Sequence, residues 1–283
     1  MTSRTIVVGV DAHDTWQDAV DWAADQAARE GRALTLVHVA DPAEELWHDP
    51  AGHERRLGVP QTATAAERLL EQARDRVAER APTVDVHAVL RGGAVRSELH
   101  AMAHDADLLV VGARRHRTFW ERLVGTIGSS VAKSPPCPAV VVHGVHPGEV
   151  RRGVLVGIDD TEHALPALRF AFRQASLTGQ PLAVLHVAPE ATYGTPSDEA
   201  EQRLAVSEAV AGLREEFPDV AVRTTVERGD PSRVLLASAR AMHLVVLGTH
   251  HARPLPELLL GSVVSPVVEQ ATCPVAVVPD QDG

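Results

Sequence analysis

The sequence predicts an α/β fold of two tandem domains, each an open parallel sheet with helices on both faces. Two observations predict it. First, the chain repeats itself. Ile6-Val7-Val8-Gly9-Val10-Asp11 returns as Val154-Leu155-Val156-Gly157-Ile158-Asp159, and Gly157 and His186 each follow Gly9 and His38 by 148 positions. Gly248, Gly261 and Cys273 follow Gly112, Gly125 and Cys137 by 136 positions, so the copies differ by a loop deletion of 12 residues. Self-similarity of this length marks a duplicated domain, and residues shared by both copies become the first functional candidates. Second, short Val/Ile-rich runs alternate with stretches of helical periodicity, the pattern of parallel strands joined by crossover helices.

Each copy opens with an apolar run that suits a strand buried on both faces. A helix follows. In the first copy Trp16, Ala19, Val20, Ala23 and Ala27 recur at helical spacing, Thr15 can cap its start and Gly31 stops it. In the second copy Ala164, Leu168, Ala171, Phe172 and Ala175 recur likewise, with Gly179 as the stop. A second strand (Leu34–Val39; Leu182–Val187), a loop and a second helix (about Gln61–Arg80; about Asp198–Glu216) come next. A third strand (Asp85–Leu90; Ala221–Glu227) leads to a third helix (about Val95–His104; about Ser232–Ala241). The fourth strand (Leu108–Gly112; Leu244–Gly248) precedes a polar loop and a last helix starting near Gly125 or Gly261. Ala139–Val142 and Val275–Val278 close the two units. The expected domains are 1–145 and 151–280, separated by the Gly- and Pro-bearing segment His143–Arg152.

The bulk numbers agree with this organisation. A chain of 283 residues suits two domains of ordinary core size. A net charge of −11 argues against nucleic-acid binding, which needs a basic surface to displace counterions. No run of 18 apolar residues occurs, and the first strand, beginning by Ile6, leaves no room for a signal peptide; a cytoplasmic protein without membrane association is expected. The 2 cysteines occupy matching places before proline and read as buried small side chains rather than a disulfide or zinc framework. A single lysine against 26 arginines hints at a GC-rich bacterial genome.

In open parallel sheets, ligands sit beyond the carboxyl ends of strands where the strand order reverses. The recurrent residues fall there: Asp11/Asp159 after strand one, Val39/Val187 ending strand two, Gly92/Gly229 after strand three and Gly112/Gly248 after strand four. Gly125-Thr126 and Gly261-Ser262 open a helix in each copy, where unpaired N–H groups and the positive helix end favour an anion and a hydroxyl adds a bond. Asp11 and Asp159 can accept from an adenine amino group or a ribose hydroxyl. They can equally cap the following helix while the glycines only permit turns, and spacing alone does not choose between the two readings.

The spacing Gly112-x2-Arg115-x9-Gly125-Thr126, with Val-Gly-Val-Asp at the start and Cys-Pro-x-x-Val-Val at the end, resembles the universal stress protein family. Gly248-x2-His251-x9-Gly261-Ser262 is similar. The resemblance covers nearly the whole chain and implies a tandem member with the Rossmann-like fold of the adenine nucleotide alpha hydrolase group. It implies ATP, with or without Mg, as ligand in a non-enzymatic stress-response role. The implied site residues are Asp11, Val39, Gly92, Gly112, Gly125 and Thr126 in the first copy, and Asp159, Val187, Gly229, Gly248, Gly261 and Ser262 in the second. It also implies pairing through the last strand, hence an internal pseudo-dimer that can associate further into a homodimer. Two positions depart from the family pattern: its second glycine is Arg115 in one copy and His251 in the other. Arg114, Arg115, His116 and Arg117 would set basic groups beside the phosphates, where charge-assisted bonds offset the loss of glycine; a solvated loop is the alternative.

Other chemistries find little support. No G-x4-G-K-[S/T] occurs, so the lysine and magnesium ligand of a P-loop are missing. No paired carboxylate recurs in both copies, and Ser129, Ser130 and Ser265 have no recurrent His–Asp partner to act as a base. Of 15 histidines only His38/His186 recur, at the end of a buried strand, and these read as core histidines rather than metal ligands.

Overall fold

The computed structural model describes residues 5–11, 16–40, 46–48, 54–56, 59–113, 135–144, 150–159, 163–188, 196–249 and 263–280; for 46–48, 54–56, 59–63, 196–199, 201–203 and 205 only the backbone is described. The chain forms two compact units, Met1–Val131 and Ala132–Gly283.

In the first unit the elements run β1 (Thr5–Gly9), α1 (Trp16–Glu30), β2 (Leu34–Ala40), β3 (Leu46–His48), β4 (Glu54–Arg56), α2 (Val59–Arg80), β5 (Val86–Gly92), α3 (Val95–Ala103) and β6 (Ala106–Gly112). The sheet order is β6-β1-β2-β5, with β1 parallel to β2 and β6, and β2 parallel to β5. β3 and β4 form a separate antiparallel pair in the connection between β2 and α2, which is longer in sequence than its counterpart in the second copy. Ile6, Val7 and Val8 are all buried, as a strand covered on both faces requires. α1 and α2 cover one face and α3 the other.

The second unit contains β7 (Ala139–Val142), β8 (Val154–Ile158), α4 (Leu165–Thr178), β9 (Leu182–Ala188), α5 (Pro196–Glu216), β10 (Val222–Arg228), α6 (Pro231–Ala239), β11 (Leu244–Thr249), α7 (Val264–Gln270) and β12 (Val275–Pro279). Its order is β10-β9-β8-β11-β12-β7. All neighbours are parallel except β7, which runs antiparallel to β12 with Val141 opposite Val275. β7 closes the first copy in sequence yet lies in the second compact unit, where it pairs with β12. α4 and α5 lie on one face of this sheet and α6 and α7 on the other.

Most expected elements appear within two residues of their expected limits. The chain leaves α1 and α4 through Gly31 and Gly179 (φ +63 and +61), the two residues expected to stop those helices. The last helix of the second copy is described from Val264, not from Gly261, and the corresponding helix near Gly125 lies outside the described residues. Thr15, the expected cap of α1, also lies outside them.

Close packing explains one repeated glycine pair. A Cβ on Gly157 would lie 2.9 Å from Leu235 Cδ2 and 3.0 Å from Leu247 Cδ2; on Gly9 the nearest atom would be Val111 Cγ1 at 3.4 Å, then Leu99. The third helix of each copy therefore packs a leucine on strand one, tightly enough at Gly157 that a methyl group would displace Leu235 or Leu247, whereas at Gly9 it would make ordinary contact.

Candidate functional site

Each unit reverses its strand order beside its first strand. In the first, the chain steps outward from β1 through β2 to β5, then returns to β6 on the other side of β1. In the second it steps from β8 through β9 to β10, then returns to β11. In open parallel sheets such a reversal is where a ligand crevice forms, which here places it between the carboxyl ends of β1 and β6, and of β8 and β11. Asp11 follows β1 and Gly112 ends β6; Asp159 follows β8 and Gly248 lies one residue before the end of β11. Val39 and Val187, each next to last on its strand, are buried beside them. Eight of the expected site residues thus fall at the carboxyl ends of the strands. Arg115, Gly125, Thr126, His251, Gly261 and Ser262, with the basic run around Arg115, lie outside the described residues.

The third strand needs a correction. Gly92 is extended, with open space where a side chain would go, whereas the next residue, Gly93, has φ +144. Gly229 has φ +143, so its counterpart is Gly93 rather than Gly92. Both donate through the backbone to the end of the second strand, Gly93 N to Ala40 O at 3.1 Å and Gly229 N to Ala188 O at 3.0 Å. A side chain at that φ is strained, which is why glycine recurs. The constant later offset pointed to this: 136 positions before Gly229 is Gly93.

The recurrent histidines sit at the same end of the sheet. His38 Nδ1 lies 2.7 Å from the Val10 carbonyl oxygen and His186 Nδ1 lies 3.1 Å from that of Ile158. A carbonyl only accepts, so Nδ1 carries the proton in both rings. His186 is 5% exposed, and its Nε2 is buried without a hydrogen-bond partner among the described residues.

Asp230 has a plainer role: its Oδ1 accepts from Arg233 N at 2.9 Å and caps α6. Ala94 holds the equivalent place before α3 and makes no side-chain cap. Among the described residues no group of three His, Cys, Asp or Glu side chains gathers as a metal cage. No described helix is long and apolar enough to cross a membrane. Cys137 and Cys273 are buried ahead of the closing strands, as expected. The sequence reading missed a second recurrent pair, Gln26 and Gln174, buried on the first helix of each copy at the 148-residue offset.

Comparison with known proteins decides the family. The model of the universal stress protein family matches twice, at residues 2–143 and 151–279. This chain belongs to the universal stress protein family. It is similar over its full length to a universal stress protein of Mycolicibacterium smegmatis, 34% identical with 98% of this chain and 97% of the relative covered. A universal stress protein of Mycobacterium tuberculosis is 30% identical, with 98% and 96% covered. Among solved structures, a universal stress protein from Archaeoglobus fulgidus superposes with a TM-score of 0.76 over 99% of this chain and 97% of that one, at 17% identity, a likeness of fold. Two tandem universal stress protein domains, each an α/β sheet with flanking helices, are therefore present.

Proposed function

We propose that this tandem universal stress protein is a non-enzymatic, cytoplasmic regulator that holds an adenine nucleotide, ATP with or without Mg, in one or both copies. The observation that carries the proposal is the carboxylate at the strand-order reversal of each unit, Asp11 and Asp159, flanked by the buried Val39 and Val187. This set suits the adenosine half of a nucleotide: an apolar wall for the base, an acceptor for an amino or hydroxyl group, and a glycine turn that lets the ligand reach the backbone. The phosphates fall to Gly125-Thr126 and Gly261-Ser262, with Arg115 or His251 beside them. Pairing of the closing strands β7 and β12 supports an internal pseudo-dimer of the two copies, with a further homodimer as the expected assembly.

Calorimetric titration with ATP, and nucleotide analysis of the denatured purified protein, test this reading. Binding that Gly125→Leu together with Gly261→Leu abolishes is expected; no heat at millimolar ATP overturns it. Arg115 and His251 favour a second reading, a scaffold that has lost its nucleotide. That reading expects a folded protein without nucleotide affinity and a partner whose capture is indifferent to ATP. Turnover above blank that disappears in Asp11→Ala with Asp159→Ala would instead make the protein a slow hydrolase.

A further inference from the structure

The recurrent histidines touch the chain at one informative atom. The carbonyl of Val10 and the N–H of Asp11 belong to a single peptide unit, as do the carbonyl of Ile158 and the N–H of Asp159. A peptide is planar, so fixing its oxygen fixes its N–H and the direction in which the next Cα departs. His38 holds that oxygen in the first copy and His186 holds it in the second. In the first copy the other side of the residue is held too, since Val10 N donates to the Val37 carbonyl at 2.8 Å. The next residue along β2 and β9 is the buried valine of the site, Val39 or Val187. One imidazole therefore ties the backbone bearing the site carboxylate to the strand bearing the site's apolar wall, in both copies.

We infer that His38 and His186 are positioning residues for the nucleotide site: their Nδ1–H groups set the peptide that aims Asp11 and Asp159. This rests on the proposed nucleotide binding, but the pinning of the peptide can be measured without a ligand. The Nε2 of His186, without a partner among the described residues, is not needed for this role, so the two ring nitrogens make opposite predictions. Asparagine places its amide near Nδ1 and keeps a donor for the carbonyl; glutamine places its amide near Nε2; leucine supplies neither.

The test uses the full chain with both histidines changed together. Hydrogen exchange at the Asp11 and Asp159 amides and ATP affinity are read for His38→Asn/His186→Asn, His38→Gln/His186→Gln and His38→Leu/His186→Leu. The loss of one neutral hydrogen bond is expected to weaken ATP by about 3- to 10-fold in the leucine and glutamine pairs, with faster exchange at the two amides. The asparagine pair is expected to stay within about twofold of the parent on both readouts. Parental affinity and exchange in the leucine pair overturn the inference. So does a glutamine pair that behaves like the parent while the asparagine pair fails, because Nε2 would then be the working atom. If the leucine pair does not fold, the asparagine and glutamine pairs decide. If the parent binds no ATP, the nucleotide reading fails by itself and amide exchange alone decides this one, with equal exchange in all variants overturning it.

Discussion

The two copies agree where strands meet helices and differ where helices meet each other. Gly9 and Gly157 admit the third helix, His38 and His186 tie strand two to strand one, Gly93 and Gly229 turn out of strand three, and Gln26 and Gln174 are buried on the first helix. The seam between the first two helices follows another logic. In the first copy Asp21 and Asp25 on α1 meet Arg76 and Arg80 on α2 at 2.6 and 2.7 Å, and Arg80 also reaches Asp21 at 3.5 Å. In the second copy Arg169 on α4 meets Glu216 on α5 at 2.5 Å. The repeat offsets make Arg169 the counterpart of Asp21 and Glu216 that of Arg80, so the same contact is made with the charges exchanged. Nearby, the rings of Phe172 and Phe217 lie 5.8 Å apart where the first copy has Ala24 and Ala81. The fold thus demands particular residues at the sheet and accepts any complementary filling of the outer seam.

The largest test of that contrast is Phe172→Ala, which gives the second copy the alanine of the first. Phe172 is fully buried, so the change is expected to cost about 3–5 kcal/mol in the second unit. In urea unfolding the second unit's transition should move and the first unit's should stay. A cost under about 1 kcal/mol would mean that small side chains fill both seams equally well. Next in size is the glycine pair. Gly157→Ala pushes a methyl group against two leucine termini and is expected to cost about 1–3 kcal/mol, whereas Gly9→Ala, with nothing nearer than 3.4 Å, should cost less. Equal costs would show that the leucines yield.

This contrast also accounts for what could be read before the structure. The strands and the recurrent residues at their carboxyl ends were legible because buried parallel strands are continuous Val/Ile/Leu runs and because each carboxyl-end residue occurs twice. Gly92 was chosen over Gly93 because two adjacent glycines look alike in sequence, and only the backbone angle separates them. Gln26 and Gln174 escaped notice because a polar residue on a helix reads as solvated unless both copies are compared at that position. The pairing of β7 with β12 followed from the family resemblance and not from the strand itself, because Ala139–Val142 carries nothing that encodes a backbone partner. The histidine tethers were visible as a repeat, but their contact with one peptide oxygen is a property of the fold.

The end of the closing strand offers a smaller comparison. His143 follows β7, while its counterpart Pro279 ends β12. His143 Nε2 donates to the Val268 carbonyl at 2.8 Å. Burial, aided by the charge of Arg151 and opposed by hydrogen bonds to backbone groups of Val268, Cys273 and Val141, holds its imidazole below the ordinary histidine value. The unfolded chain therefore takes up the proton first as pH falls. The second unit should keep this stability above about pH 6.5 and lose it progressively below, by at most ~1.4 kcal/mol per pH unit, until the folded value is passed. His143→Gln keeps a donor for Val268 and removes the titration. Urea midpoints between about pH 5 and pH 7.5 should slope in the parent and flatten in the variant, and the same slope in both would assign the acid sensitivity to other groups.

The smallest expected effect addresses why the charges are exchanged at all. Arg169 and Glu216 are 52% and 46% exposed, so their pair is screened by solvent, and either single reversal, Arg169→Asp or Glu216→Arg, should cost about 0.2–1 kcal/mol. The double variant restores an attractive pair in the orientation of the first copy and should return to within about 0.5 kcal/mol of the parent. Stability is then nearly unchanged, but the chain has lost a distinction. In the parent, α1 presents Asp21 and Asp25 where α4 presents Arg169 and Arg173, so a first helix that docked on the second helix of the wrong copy would face like charge. Duplicated domains misassemble through such exchanges. The double variant should therefore refold with lower yield or slower recovery than the parent at equal stability, most clearly at low ionic strength, where surface charges act furthest. Identical refolding at every salt concentration would show that the exchanged signs are a neutral substitution at a permissive seam.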